Sequence, residues 1–196
     1  ETAGNSVTVK MGGQIVNGTT KKSFNFQRQY TDLTNKYAQF YGCMINTIGL
    51  TAALDNMITG SLGIIGKKEV SAASSIGDTA ATQPNSNAVL NSIDNIAAVL
   101  ENQAALGILN VGLQLNNNLR NRQKVGELGA IDIGVGQINA SGTLEAYFES
   151  ETLYDKYLNF TATSLAAALV DGAGNGYVIE LPRAKFTDGD RSAGGG

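Results

Sequence analysis

The stretch QINASGTLEAYF, residues 137–148, alternates without a slip. Ile138, Ala140, Gly142, Leu144, Ala146 and Phe148 fall on one side, and Gln137, Asn139, Ser141, Thr143, Glu145 and Tyr147 on the other. A period of two belongs to the β-strand, whose successive side chains point to opposite faces. The apolar set is expected to enter a core, with Ile138, Leu144 and Phe148 as its bulk. The polar set is left against water, or against something that moves through water.

Shorter alternating runs separated by turn signals fill much of the chain, which is the pattern of an antiparallel all-β fold. VTVKM (7–11) stops at Gly12 and Gly13, and SFNFQRQY (23–30) places Phe24, Phe26, Arg28 and Tyr30 on one face. Ile48, Leu50, Ala52 and Leu54 share a face, as do Ile58, Gly60, Leu62 and Ile64, and the intervening Asp55, Asn56 and Met57 predict a hairpin. Leu109, Val111, Leu113 and Leu115 form a further stripe that ends at Asn116. In AIDIGVG the apolar residues Ile131, Ile133 and Val135 are odd-numbered, whereas the next apolar set is even-numbered. The phase must therefore slip near Gly136, by a β-bulge or a tight bend.

One helix is predicted, over SETLYDKYLNF (150–160), with Ser150 as N-cap and Leu153, Tyr154, Tyr157 and Leu158 at helical spacing. After it, SLAAALV and YVIELPRAKF flank DGAGNG and read as a second hairpin. Residues 70–92 are small and polar with almost no charge, which suits a long loop or a contact arm. The 196 residues, 42% of them hydrophobic, are expected to form a single domain (1–196), and 24 glycines with two prolines favour turns over long helices.

The chemical inventory is sparse. The chain has no histidine, which removes Ser/His/Asp and Cys/His nucleophile arrangements and every His-based metal site. Its one cysteine, Cys43, lies in the apolar setting FYGCMIN and reads as a buried, inert thiol that cannot pair within the chain. DGAGNG starts like a calcium loop, but Ala173 replaces an oxygen ligand and Pro182 stands at the twelfth position. GVGQIN lacks the third glycine of a dinucleotide loop and lies within strand pattern. No metal or cofactor is expected. Asp132 and Glu145 are the best available carboxylate pair for a hydrolase, yet they sit on opposite sides of the phase slip.

With 14 basic against 17 acidic residues the formal charge is −3, and no broad basic surface for gripping nucleic acid is visible. Basic residues gather at Lys67 and Lys68 and again at Arg120, Arg122 and Lys124, as a solvated loop or as a contact with an acidic neighbouring subunit. No run of about 18 apolar residues exists to span a membrane.

The ordered series SFNFQRQYTD, GCMINTIGL, MITGSLGIIGKKE, NNNLRNRQKVGELGAIDIGVGQINASGTLEAYFESETLYDKYLN and DGAGNGYVIELPRAKFTDGD resembles the tail tube proteins (major tail proteins) of long-tailed bacteriophages and related prophages, from about Ser23 to Asp190. The resemblance implies a β-sandwich with one flanking helix, assembled as hexameric rings whose inner strands join neighbouring subunits in a ring-shaped β-barrel. The rings would stack into a virion tail tube, a conduit for genome DNA, built in the host cytoplasm. Its partners would be the protein itself and other tail proteins such as the tape measure and tail terminator, with DNA passing non-specifically. The resemblance further implies sequence before Glu1 and a closing strand after Gly196, so the chain is expected to be truncated at both ends. A polar, neutral-to-acidic lining suits a sliding polyanion, and Gln137, Asn139, Ser141, Thr143 and Glu145 are the candidate lumen residues. The same reading places Lys67, Lys68, Arg120, Arg122 and Lys124 at subunit or ring contacts. The alternative is a non-catalytic β-sandwich that binds or adheres, which would call for clustered exposed aromatics; the seven tyrosines are dispersed and tryptophan is absent.

Overall fold

Among the described residues thirteen elements follow one another: β1 (Phe24–Gln29), β2 (Tyr37–Ala53), β3 (Thr59–Ile65), β4 (Lys68–Ala72), β5 (Ile96–Glu101), β6 (Ala104–Ala105), β7 (Ile108–Asn116), β8 (Arg120–Gln123), β9 (Ala130–Gly134), β10 (Asn139–Ala146), α1 (Thr152–Leu158), β11 (Ala162–Val170) and β12 (Gly176–Lys185). The computed structural model describes residues 13, 18, 20–77, 86 and 88–190; the strand expected over VTVKM lies outside them. The fold class is the expected one: antiparallel sheets with one short helix.

Strand β2 organises the first two-thirds of the chain. Its first half is flanked by β1 on one edge and β4 on the other, and its second half by β3 and β7. Gly42 stands in the first half with φ of +59°, a left-handed value that glycine adopts without steric cost. An added Cβ there would meet Lys67 Cδ at 3.0 Å. β10 then joins the free edge of β7. The second half of β2 shows the expected apolar stripe, but in the first half Ala38 and Gln39 are both buried, so neighbouring residues face covered surfaces on both sides. That double burial erases the period-two signal.

A separate sheet runs in the order β12-β11-β5-β6. Ala168, Leu169 and Val99 are buried in it. β11 and β12 are the expected second hairpin, joined by residues 171–175. The Asp171 carboxylate closes that turn by accepting from the amides of Ala173 (2.9 Å) and Asn175 (2.7 Å) and from Asn175 Nδ2 (3.0 Å). These bonds, the one from the Asn175 side chain first among them, hold the Asp171 carboxyl below the usual carboxylate range. Its oxygens are thus occupied by the loop's own amides.

Helix α1 is shorter than its sequence pattern, and its N-cap is Glu151 rather than Ser150. The Ser150 hydroxyl, one residue earlier, accepts from the Thr152 amide at 3.4 Å. No helical residue is buried; the helix is tied to the β5-β11 sheet by an ion pair between Lys156 Nζ and the buried Glu101 carboxylate, which also accepts from the Thr163 hydroxyl.

The phase slip near Gly136 is a change of sheet. β9 pairs with β8 as a two-stranded ribbon, whereas β10 pairs with β7, and residues 135–138 carry the chain between them. A Cβ on Gly136 would stand 2.6 Å from the Asn118 carbonyl oxygen, too close for any other residue without backbone movement. The opening strand is accordingly Asn139–Ala146, and Gln137, Ile138, Tyr147 and Phe148 lie beyond its ends. This corrects the expected core: Ile138 is 41% and Phe148 60% exposed, and Leu144 is half-buried. Among the described residues β10 is an edge strand, with a neighbouring strand on one side only, so its apolar face is incompletely covered by them. Of the expected 70–92 loop, residues 70–72 belong to β4, and the Ser92 amide donates to the Asn56 carbonyl (2.9 Å), tying the segment's end to the β2–β3 turn.

Candidate functional site

Four strands in the order β3-β2-β7-β10 place the polar residues of β10 and those of the β2–β3 hairpin on one face of one sheet. Directly opposed residues share a face in an antiparallel ladder. One row runs Gly63, Thr47, Asn116, Asn139; the next Ser61, Gly49, Gln114, Ser141; the next Thr59, Thr51, Gly112, Thr143; and Ala53, Asn110 and Glu145 close the series. Every side chain in it is absent, short or an amide, except Glu145, its only charge. The face has low relief because glycines oppose hydroxyl residues: a Cβ on Gly63 would stand 2.1 Å from Thr47 Oγ1, and one on Gly49 2.5 Å from Ser61 Oγ. Of the five sequence-derived candidates, Asn139, Ser141, Thr143 and Glu145 lie in these rows. Gln137 precedes the strand, exposed, with its carbonyl accepting from Asn118 Nδ2 at 2.7 Å.

The reverse face carries Ile48, Leu50 and Ala52 of β2, Val111, Leu113 and Leu115 of β7, Leu62 of β3 and Leu144 of β10. Its exposure is greatest at the β3 edge. Leu50, Val111, Leu113 and Leu115 on the inner strands are half-buried, while Leu62 is 59% and Ile64 43% exposed on β3. Among the described residues the outer edges of β3 and β10 pair with nothing, so each presents a row of backbone donors and acceptors.

The five basic candidates lie at one end of this sheet; Arg120 and Arg122 stand on an exposed strand, and Lys67 and Lys124 in connections. Arg120 and Arg122 are on β8, which pairs with β9, and Arg122 lies opposite Asp132. The ribbon is held to the sheet by the Leu119 amide donating to Asn46 Oδ1 (2.8 Å) and the Ala130 amide donating to the Lys67 carbonyl (2.8 Å). Ile133, fully buried, is its apolar anchor. Asp132 is salt-bridged to Lys21 (3.5 Å) and Lys67 (3.8 Å). A backbone hydrogen bond from Ile133, with the two ammonium groups beside it, holds its carboxyl below the ordinary range. Lys124 lies in the hairpin turn, and Lys68 begins β4 next to Tyr41, with its Nζ 5.5 Å from that ring centre.

Asp132 and Glu145 belong to different sheets and are not brought together. Among the described residues no three His, Cys, Asp or Glu side chains converge as metal ligands. Cys43 is buried, and burial pushes its thiol pKa up. Sequence reasoning missed β4, β5, β6, β8 and the first half of β2. The exposed aromatics include Phe24 and Phe26, neighbours on β1 with ring centres 6.5 Å apart. Among the described residues no helix is long and apolar enough to cross a membrane.

A comparison with curated proteins returns no match. A family model described as phage tail tube protein matches residues 3–196, nearly the whole chain. A mostly β subunit with a low, polar sheet face and, among the described residues, two open edges is of a kind with that match, and the chain belongs to the phage tail tube protein family.

Proposed function

We propose that this structural tail protein closes into hexameric rings through the open edges of β3 and β10, and that the polar face of the β3-β2-β7-β10 sheet lines the channel through which genome DNA leaves. The observation that carries the reading is the coincidence, on one sheet, of a nearly uncharged face and two edges that are unpaired among the described residues, with exposed apolar side chains on β3 and just beyond the ends of β10. Strand directions favour the closure. The four strands alternate, so β10 of one subunit and β3 of the next run antiparallel and the ladder continues across the joint. Six copies give about 24 strands; at about 4.8 Å between strands and a tilt of about 40°, the barrel is about 48 Å across between backbones. Barrels of about 16 to 18 strands already leave an aqueous channel.

Asn139, Ser141, Thr143 and Glu145, with Gln137 at the strand entrance, then face the lumen. A lining of hydroxyls and amides keeps its own hydration and offers phosphates no cations, so DNA passes without being held. Its partners in the tail are its own copies and other tail proteins such as the tape measure and tail terminator. Lys67, Lys68, Arg120, Arg122 and Lys124 lie at one end of the sheet, at contacts between rings. Chain 1–196 acts as one such domain in the virion tail, after assembly in the host cytoplasm. Sedimentation and electron microscopy of the concentrated protein test the proposal: rings or tubes are expected, and monomers alone would refute it.

A further inference from the structure

The two ends of the candidate channel sheet are unlike in charge and shape. At the end beyond Asn116 stands the β8–β9 hairpin, whose turn holds Val125 and Leu128 at 99% and 97% exposure. Apolar side chains so fully in water add nothing to their own subunit's core, and two of them on one projecting turn form a small ready-made plug. Around its base are Lys67, Lys68, Arg120 and Arg122, which with Lys124 in the turn outnumber Glu127 of the turn and Asp132, the latter paired to Lys21 and Lys67. At the opposite end β2 turns into β3 and β10 leaves the sheet; there the Leu54 amide donates to the Leu109 carbonyl (2.9 Å) and the Tyr147 amide to the Gly107 carbonyl (3.0 Å). Leu54, Met57, Ile93 and Tyr147 are 54%, 65%, 69% and 60% exposed along this rim. Its charged neighbours include Asp55, Asp94 and Glu149, and no lysine or arginine occurs in residues 53–58, 89–95 or 144–151.

From these opposed surfaces we infer that the β8–β9 hairpin of one subunit docks on the Leu54, Met57, Ile93 and Tyr147 rim of a second copy in the adjacent ring, its basic base facing that copy's Asp55, Asp94 and Glu149. The assignment rests on the tube reading and adds to it the head-to-tail contact. The occupant is a second copy because the matching surface, apolar for apolar and acidic for basic, is on the chain itself at the other end of the same sheet. A contact between two different patches does not close on itself. It leaves one plug and one rim unfilled after every addition, which is the condition for an open filament. The lateral edges of β3 and β10 stay available for ring closure.

Two arms test the assignment. Val125→Asp with Leu128→Asp changes only solvent-facing positions, so the thermal melt should match that of the parent while electron microscopy shows isolated rings in place of long tubes. In a mixture of two single variants, Leu128→Cys and Met57→Cys, mild oxidation should cross-link chains in tubes, whereas the native Cys43 is buried. Full-length tubes from the double Asp protein, or no cross-linked species from the Cys mixture, would overturn the hairpin assignment and leave the ring reading standing. If the parent protein itself forms neither rings nor tubes, the ring reading falls, and this contact with it.

Discussion

Replacing Lys156 with Met should destabilise the subunit by severing α1 from the sheet behind it. The Lys156 ammonium meets the Glu101 carboxylate with side-chain exposures of 18% and 6%, so the pair is largely out of water. Removing one partner of a buried pair costs about 3–5 kcal/mol, because the other charge stays desolvated. Here the Thr163 hydroxyl still donates to Glu101, and the partly exposed lysine site admits some water, which brings the expected loss to about 2–4 kcal/mol. For a chain of this size each kcal/mol moves Tm by about 2–4 °C, so a fall of about 4–16 °C is expected. Thermal melts followed by circular dichroism would measure it. Adding Glu101→Gln to Lys156→Met should recover part of the loss, giving a coupling energy of more than about 1 kcal/mol in a double-mutant cycle. A loss under about 1 kcal/mol for Lys156→Met, or strictly additive single effects, would show that the pair does not hold the helix.

Leu62→Lys places a charge on the exposed apolar flank of the β3 edge; the monomer melt should change by under about 1 kcal/mol, while ring formation in sedimentation is lost. Asn139→Lys with Thr143→Lys should leave fold and tubes intact but slow DNA passage, and ejection as fast as the parent's would remove β10 from the lumen. Asp132 and Asp171 both have carboxyls held below their ordinary value. Each therefore stabilises the folded state above the unfolded pKa of about 3.9, and that contribution disappears as pH falls through the lower folded value. Asp171→Ala should accordingly flatten the acid-side fall in Tm, and an unchanged profile would show that the turn's hydrogen bonds are not coupled to folding.

What could be read from the residues depended on which strands have one wet face. The second half of β2, β3, β7 and β10 alternate because one side of their sheet stays polar, so their period survives in the sequence. β5 reads as IAAVLE, with Val99 and Glu101 buried on one side and small alanines on both, leaving no contrast to detect. β8, RNRQ, is polar at every position and is a strand only because β9 supplies its partner and Ile133 its anchor. The Glu101–Lys156 link joins residues 55 positions apart and carries no local signature. For the candidate channel, the polar residues of β10 and those of the β2–β3 hairpin were visible separately; that they lie on one face follows from the β2–β7–β10 register.

In the ring proposed above, the alternation of strand direction within β3-β2-β7-β10 bears on what sets the number of copies. A subunit with an odd number of strands would meet its neighbour in parallel at every joint. Four strands bring an antiparallel seam at each joint for any copy number, so the backbone ladder does not count subunits. The number of subunits in a ring must instead come from angle: the twist and coil of each sheet, and the wedge set by the side chains behind it, at Leu62 and Ile64 on one edge and Leu144 on the other. Changes in the bulk of those residues are where a tube of altered bore would originate.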